Sequence, residues 1–278
     1  CARGIEHPPA MATLLCPGLL LGGLAAHARA VLLPPASNEG IDIGDPVADS
    51  DCTCLPWIQA YELNGVPCGQ GLEYFFSTRR GTPWPRANLT LGDEFCRRFF
   101  RRIPDNFCMN ADMSDEASGI GARQWCYVSS RCERLRGGRR IPGADASWKL
   151  CQPDQDAMLR ESAPEDLDRL RASRGLSLGL LAKYAYPVWQ SDRWPAVQHL
   201  FLGPQPGAEP LAASGRSDLQ RVVSEGKAMV FNSASGHPPF HIVLGRRVYK
   251  IDFKPGGQRS YREGRMGEVS GLQCIQGC

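Results

Sequence analysis

Several signatures that identify common protein classes are missing from this sequence of 278 residues. No glycine-rich loop that would cradle phosphate groups precedes a helical pattern, so a nucleotide-binding P-loop is not indicated. The formal net charge of +3 is too small to indicate nucleic-acid binding, which normally concentrates far more positive charge on one face. No internal repeat is present, and this excludes a solenoid or a propeller.

The sequence also lacks a continuous apolar run long enough to cross a membrane. Its most apolar segment begins near Met11, but Pro17 and several glycines interrupt the roughly 18 residues that a membrane-spanning helix requires. Small residues end the segment and suit signal-peptidase cleavage after Ala30. We therefore predict a signal peptide with upstream residues over 1–30 and a linker over 31–50; a membrane anchor or a buried helix is the alternative. The expected location is the secretory pathway, outside the cell or in an organelle lumen reached through it.

Cysteine, by contrast, is abundant. The chain has 12 cysteines, more than a reducing cytosol usually tolerates without a metal. Cys1 and Cys16 fall in the segment expected to be removed, which leaves an even number. An even number in a secreted chain predicts a disulfide framework, although the sequence does not determine which cysteines pair. The disulfide candidates are Cys52, Cys54, Cys68, Cys96, Cys108, Cys126, Cys132, Cys151, Cys274 and Cys278.

The cysteines also divide the chain into segments. Eight fall within about a hundred residues, and longer periodic segments begin only after the eighth. We predict a disulfide-rich module with short helices over 51–151, followed by a small module over 152–254 that combines helices with an antiparallel β-hairpin or meander. The segment 255–278 is rich in glycine and arginine and is predicted to be a flexible tail with a terminal cysteine pair. The fold class that follows is α+β.

One arginine-rich segment of the first module carries a helical pattern. Phe95, Phe99 and Ile103 recur at four-residue spacing, so we predict a helix that starts near Asn88 or Thr90 and buries them. Four arginines occupy its outer face, and guanidinium groups pair well with sulfate and carboxylate groups. They are the anion-binding candidates, with a passive solvated surface as the alternative. These candidates are Arg97, Arg98, Arg101 and Arg102.

Capping and turn signals place the elements of the second module. Ser162 and Glu165 form a capping box that predicts a helix ending at Arg174, where Gly175 supplies a left-handed terminus. A second apolar helix is expected to end at Pro187. Alternating apolar residues then predict three strands, over 229–232, 240–244 and 248–253.

The most distinctive motif is the string Trp125, Cys126, Tyr127 and Val128. An indole next to a half-cystine often shields a disulfide. The string resembles the Trp-Cys-Tyr-Val cysteine-rich modules of secreted protist and algal proteins, and more loosely the Trp-Cys-Tyr of kringle and fibronectin type II modules. The resemblance covers roughly 52–151 and implies a disulfide-stabilised secreted module. The cysteine spacings of kringle and type II modules are not reproduced, so their lysine-binding and collagen-binding roles are not carried over.

A catalytic alternative comes from the hairpin over 240–252. A histidine that opens an apolar strand, a glycine turn and a carboxylate on the next strand resemble the histidine strand of papain-like peptidases. That resemblance implies Cys126 as a thiolate, His241 as its base and Asp252 as the orienting group. Against it, Cys126 lies in a disulfide-type motif, and Gln124 is too close to Cys126 for the usual oxyanion donor.

Two further patterns concern modification and metal. Asn88 begins the glycosylation triplet Asn-Leu-Thr, which has meaning only in the secretory pathway. His237 and His241, like Cys274 and Cys278, are four residues apart, which is a possible zinc-ligand spacing. Consecutive prolines between the histidines oppose a helix that would align them, so no metal and no cofactor are predicted.

Together these patterns favour a non-catalytic protein that binds or interacts with a partner. The predicted function is that of a secreted or lumenal, disulfide-stabilised protein whose first module presents a surface to an unknown protein or to an anionic glycan. The alternative is a papain-like cysteine peptidase, or a degenerate relative of one, that uses Cys126, His241 and Asp252.

Overall fold

A computed structural model describes residues 50–113, 120, 122–189, 191–203, 217, 219–220, 224–233, 238–263 and 270–278. The predicted signal peptide, its cleavage site and nearly all of the predicted linker lie outside these residues. Val47–Cys278 forms one compact unit. In the described part of this unit, no helix has the length and apolar character needed to cross a membrane.

Short helices and two β-sheets make up the described residues, so the predicted α+β class is confirmed. The α-helices are α1 (Trp57–Glu62), α2 (Phe75–Thr78), α3 (Trp84–Leu91), α4 (Pro164–Arg174), α5 (Leu178–Ala185), α6 (Trp194–Val197), α7 (His199–Leu202) and α8 (Gly257–Arg262). The strands are β1 (Met109–Asn110), β2 (Gln124–Ser129), β3 (Arg139–Arg140), β4 (Ala146–Leu150), β5 (Val188–Trp189), β6 (Ala228–Phe231), β7 (Phe240–Leu244), β8 (Arg247–Phe253) and β9 (Ser270–Gln276).

The first sheet is antiparallel, has the strand order β1-β2-β4-β3, and places the Trp-Cys-Tyr-Val string in β2. Successive side chains of a strand point to opposite faces. Trp125 and Tyr127 therefore face the main hydrophobic core, whereas Cys126 and Val128 face a second cluster built mainly of half-cystines. The Trp125 indole packs edge-on against Trp57, with ring centroids 4.9 Å apart, and not against the disulfide of its neighbour. Both faces of β2 are buried, which explains its continuous apolar sequence.

The second sheet has the order β5-β6-β7-β8-β9, with β5 parallel to β6 and the other neighbours antiparallel. The three predicted strands correspond to β6, β7 and β8 and are confirmed. Gly245, with a φ of 57°, and Arg246 form the tight turn between β7 and β8. In place of the expected flexible tail, the chain forms α8 and the edge strand β9. Leu272 and Ile275 fix β9 by packing against two different core clusters.

The arginine-rich segment is not one continuous helix. α3 begins at Trp84, earlier than expected, and is followed by π-helical residues at Gly92–Arg97 and a 3-10 turn at Phe100–Arg102. Its predicted apolar stripe is nevertheless confirmed, because Phe95, Phe99 and Ile103 are all buried. Burial of this stripe, and not regular helix geometry, therefore fixes the segment.

The capping prediction for α4 is wrong by one residue. The N-cap is Ala163, and Asp166, not Glu165, accepts a hydrogen bond from its backbone N–H. Pro164 occupies the first helical position, where its missing N–H costs nothing. The predicted end is confirmed, since Gly175 is left-handed with a φ of 62°.

The main hydrophobic core contains residues from both predicted modules. The Tyr184 ring of α5 stacks on Phe99 with centroids 5.5 Å apart and meets Phe100 edge-on at 5.0 Å. The Tyr184 hydroxyl donates a 2.9 Å hydrogen bond to the Glu73 carbonyl. The segments before and after Cys151 are thus packed against each other across one apolar interior.

Candidate functional site

Five disulfides join the ten cysteines that were predicted from the sequence to be disulfide-bonded. The pairs are Cys52–Cys132, Cys54–Cys126, Cys68–Cys96, Cys108–Cys151 and Cys274–Cys278. The first four close loops of 28 to 80 residues within the predicted cysteine-rich module. A bridge that restricts the unfolded chain in this way typically contributes about 2–4 kcal/mol. The disulfide framework is therefore a main source of stability in this half of the chain.

The bridge to Cys54 decides the chemistry of Cys126. A half-cystine sulfur has no thiolate form and cannot attack a substrate. Asp252 hydrogen-bonds the Lys250 ammonium, which lowers the pKa of the Asp252 carboxyl. The Nδ1 atom of His241 is buried and has no hydrogen-bond partner within the described residues. In this bridged state the set Cys126, His241 and Asp252 therefore has neither a free thiol nor a hydrogen bond from Asp252 to His241 Nδ1, and it cannot act as a nucleophilic triad.

His241 instead has a structural environment on β7. Its ring stacks on Trp194 with centroids 4.1 Å apart and an interplanar angle of 9°. Burial, reinforced by the nearby Lys250 charge, lowers the pKa of His241 to about 4, although Asp252 acts in the opposite direction. The imidazole is therefore neutral at physiological pH. His237, the other histidine of the possible zinc spacing, lies outside the described residues, and Cys274 and Cys278 are bridged to each other.

The four candidate anion-binding arginines have different surroundings. Arg97 and Arg98 both pair with the carboxylate of Asp93. The Arg101 guanidinium lies 5.7 Å above the Tyr61 ring, and the Arg102 guanidinium donates a 2.9 Å hydrogen bond to the Gly175 carbonyl. Only part of the sequence-predicted face is thus available to a ligand, because Arg98 is partly buried and Arg102 supports the end of α4.

An open groove of about 610 Å³ brings two of these arginines together with an aromatic ring. Its lining includes Arg97 and Arg101 together with Trp84 and Leu89 of α3. Leu89 is 86% exposed, which is unusual for a large apolar side chain. The arginines were expected from the sequence but Trp84 was not, because its place in the groove lining depends on where α3 begins.

Asn88 lines the same groove and is exposed on α3. Its side-chain oxygen accepts a hydrogen bond from the Tyr74 hydroxyl at 3.2 Å. The side-chain nitrogen is the atom that would carry a glycan, and this contact does not use it. The glycosylation triplet is therefore placed where a glycan would border the groove, and its occupancy stays a prediction.

A larger cavity of about 760 Å³ is lined in part by Arg160, Lys227 and Arg247. These cations already have internal partners. Arg160 donates hydrogen bonds to Asn110 and to the Ala122 carbonyl, and burial lowers its pKa. Lys227 pairs with a glutamate at 2.8 Å, and the nearest carboxylate oxygen to Arg247 is 3.8 Å away. Each of these cations thus has a polar or charged group nearby within the described residues, although Lys227 is largely exposed and Arg160 Nε has no hydrogen-bond partner there.

A buried carboxyl group, which the sequence analysis did not identify, lies in the main core. Glu73 has no exposed surface and accepts hydrogen bonds from Tyr61 at 3.0 Å and Tyr127 at 2.6 Å. Burial raises the pKa of Glu73, although these hydrogen bonds oppose the shift. A lone glutamate in a sequence is usually exposed, so no local signal identifies such a residue. With no opening to solvent, this group serves the packing of the core.

These observations define a disulfide-stabilised α+β protein that, within the described residues, combines exposed arginines and an aromatic ring in the groove beside α3. Comparisons with protein-family models, with curated protein sequences and with solved structures gave no match to this chain. The inference of function therefore depends on the site itself.

Proposed function

We propose that this chain is a secreted or lumenal protein with a non-catalytic binding role, and that its ligand is an anionic glycan bound in the groove beside α3. The observation that carries the proposal is that Arg97, Arg101 and Trp84 line one open groove. The disulfides support the compartment, since such frameworks are typical of oxidising environments. The resemblance of the Trp-Cys-Tyr-Val string to secreted cysteine-rich modules points in the same direction.

The chemistry of the groove matches a charged sugar in two respects. Guanidinium groups form paired hydrogen bonds with the planar carboxylate of a uronic acid or with a sulfate ester. The apolar face of a sugar ring can pack on an aromatic ring, which Trp84 offers at the wall of the groove. Trp84 is held in place because its indole N–H donates a 2.7 Å hydrogen bond to the Gly69 carbonyl.

Binding to immobilised heparin tests the proposal, with a charge-matched control. Arg97→Gln combined with Arg101→Gln removes two positive charges from the groove. Arg139→Gln combined with Arg140→Gln removes two from β3, where both arginines are exposed. We expect the groove variant to elute at clearly lower salt than the control variant. Equal shifts would show that retention reflects only total charge, and no retention of the unmodified protein at low ionic strength would refute glycan binding.

Asp93 provides a second, opposite test. Its carboxylate pairs with Arg97 and Arg98 and also lines the groove, so it competes with an anionic ligand for the same guanidinium groups. We expect Asp93→Asn to increase the salt concentration needed for elution. A decrease would show that Asp93 organises the arginines for binding and does not compete with the ligand.

The compartment is tested on the mature protein isolated from its natural source. Mass spectrometry without reduction should show a chain that begins after Ala30, and thiol counting should find no free thiol among its ten cysteines. Cleavage at Asn88 by a peptide N-glycanase would establish glycosylation there. Two or more free thiols would contradict the secreted location.

A further inference from the structure

Two of the disulfides meet in the interior and place four sulfur atoms in one small volume. The Sγ atoms of Cys54, Cys108, Cys126 and Cys151 all lie within 4.8 Å of one another, and all four residues are buried. Cys54 and Cys108 belong to different bridges, yet their Sγ atoms are only 3.6 Å apart. The Cys52–Cys132 and Cys68–Cys96 bridges do not belong to this four-sulfur group.

This arrangement is close to that of a tetrahedral metal site. Zinc–thiolate bonds of about 2.3 Å place neighbouring sulfurs about 3.8 Å apart in a tetrahedron. A disulfide holds its two sulfurs about 2.05 Å apart, so opening both bridges to tetrahedral spacing would move each sulfur by only about 1 Å. The four backbone segments would keep their places.

Backbone hydrogen bonds also hold the chain beside the four cysteines, and next to Cys54 the Leu55 N–H donates to the Tyr127 carbonyl at 2.7 Å. Cys126 lies within β2, and the Cys151 N–H donates a 2.9 Å hydrogen bond to the Gln124 carbonyl. The Cys108 N–H donates a 2.7 Å hydrogen bond to the Ala157 carbonyl. A buried ion pair lies beside the group: Asp156 Oδ1 is 3.6 Å from Cys54 Sγ and 2.7 Å from Lys149 Nζ. The ion pair is neutral overall: the carboxylate would oppose a thiolate at Cys54, and the ammonium would offset that carboxylate.

We propose that these four cysteines form a zinc site when the chain is reduced. An external thiol or phosphine reductant would supply the four electrons that, with four protons, convert the two bridges to four thiols. The four thiols would then bind one Zn²⁺ and release four protons, with no electron transfer in the binding step. Thiolates are soft ligands that favour zinc over magnesium or calcium. The ion would then hold together the same four segments that the two disulfides hold in the oxidised chain. The proposal is independent of glycan binding, and it gives this fold an alternative internal crosslink for reducing conditions.

The test begins with the full chain, unfolded, reduced with a phosphine and refolded without oxygen in the presence of Co²⁺ or Zn²⁺. We expect one tightly held metal ion per chain after desalting. The Co²⁺ form should show the intense visible absorption of tetrahedral cobalt with thiolate ligands, and Zn²⁺ should abolish that absorption by displacement. Failure to retain an ion, or the weak spectrum of octahedral cobalt, would overturn the proposal.

Paired variants locate the ion. Cys54→Ser with Cys126→Ser should lower metal affinity at least 100-fold, whereas Cys68→Ser with Cys96→Ser should change it by less than about threefold. Similar losses in both variants would refute the assignment.

A ligand exchange covers the case in which the serine variant of the cluster does not refold. Cys54→His keeps a zinc ligand, so it should retain one Co²⁺ per chain and shift the absorption toward that of a site with three thiolates and one imidazole. Cys96→His should leave the spectrum unchanged. An unchanged spectrum in Cys54→His would place the ion elsewhere in the chain.

Discussion

The C-terminus of α5 offers the sharpest test of how the two halves of the chain are joined. The last carbonyl groups of a helix have no partner within the helix. Gln124 of β2 donates from its side-chain nitrogen to the carbonyls of Tyr184 and Ala185, both at 3.2 Å. Asn110 of β1 donates in the same way to the carbonyls of Lys183 and Tyr186, both at 3.0 Å. Two amides of the first sheet therefore donate to four consecutive carbonyls, with the two hydrogens of Gln124 Nε2 shared among these carbonyls and Asn110 Oδ1 at 3.1 Å.

Gln124→Ala would leave two of these carbonyls buried without a donor. At about 1–2 kcal/mol for each unsatisfied buried group, we expect a loss of about 2–4 kcal/mol in the free energy of unfolding. With an m-value of about 2 kcal/mol/M, the urea midpoint would fall by about 1–2 M. The control is Gln273→Ala, which removes an exposed glutamine side chain from β9 and should change stability by less than about 0.5 kcal/mol.

A second variant of Gln124, which introduces a charge, distinguishes the effect of the lost hydrogen bonds on stability from the effect of the lost side-chain volume. Gln124→Glu keeps the size of the side chain but places a carboxylate against two carbonyl oxygens. Burial and repulsion would raise the pKa of that carboxyl, so the variant should recover stability as the pH falls and the group becomes a protonated donor. Two results would refute this account of the interface. One is a Gln124→Ala variant as stable as the Gln273→Ala control, and the other is a Gln124→Glu variant whose stability relative to the unmodified protein does not depend on pH.

Three further predictions concern buried groups and close backbone contacts. Because the folded state lowers the pKa of His241 to about 4, the free energy of unfolding should fall by up to about 3 kcal/mol as the pH drops from about 6.5 to about 4. In urea unfolding measured across that range, His241→Phe should flatten this pH dependence. Because the folded state raises the pKa of Glu73, the stability of the unmodified protein should fall as the pH rises through that folded pKa. The stability of Glu73→Gln relative to the unmodified protein should therefore increase with pH, and a stability difference that does not change with pH would contradict the buried carboxyl. Gly138→Ala would force a Cβ atom against the backbone carbonyl of Trp148 and should cost about 3 kcal/mol or more in thermal unfolding, whereas Gly271→Ala meets only a flexible lysine side chain and should cost less than about 1 kcal/mol.

The sequence by itself determined the features that depend on neighbouring residues. The change from helical to strand-like apolar periodicity located β6, β7 and β8, although consecutive residues of β6 and β7 are buried because both faces of these strands are covered. The spacing of Phe95, Phe99 and Ile103 identified which side chains are buried, even though the helix containing them is irregular. An even set of cysteines indicated a disulfide framework, since an unpaired thiol is uncommon in an oxidised protein.

Only the tertiary structure decided which distant groups meet. The partners of Cys54 and Cys108 are 72 and 43 residues away, and nothing local to a cysteine specifies a partner at that distance. The burial of Glu73 and the presence of Trp84 and Arg97 in the lining of one groove depend in the same way on how separate segments pack. Local periodicity reflects the environment of a single segment. A site depends on how several segments are arranged, and the free energy of the whole core determines that arrangement.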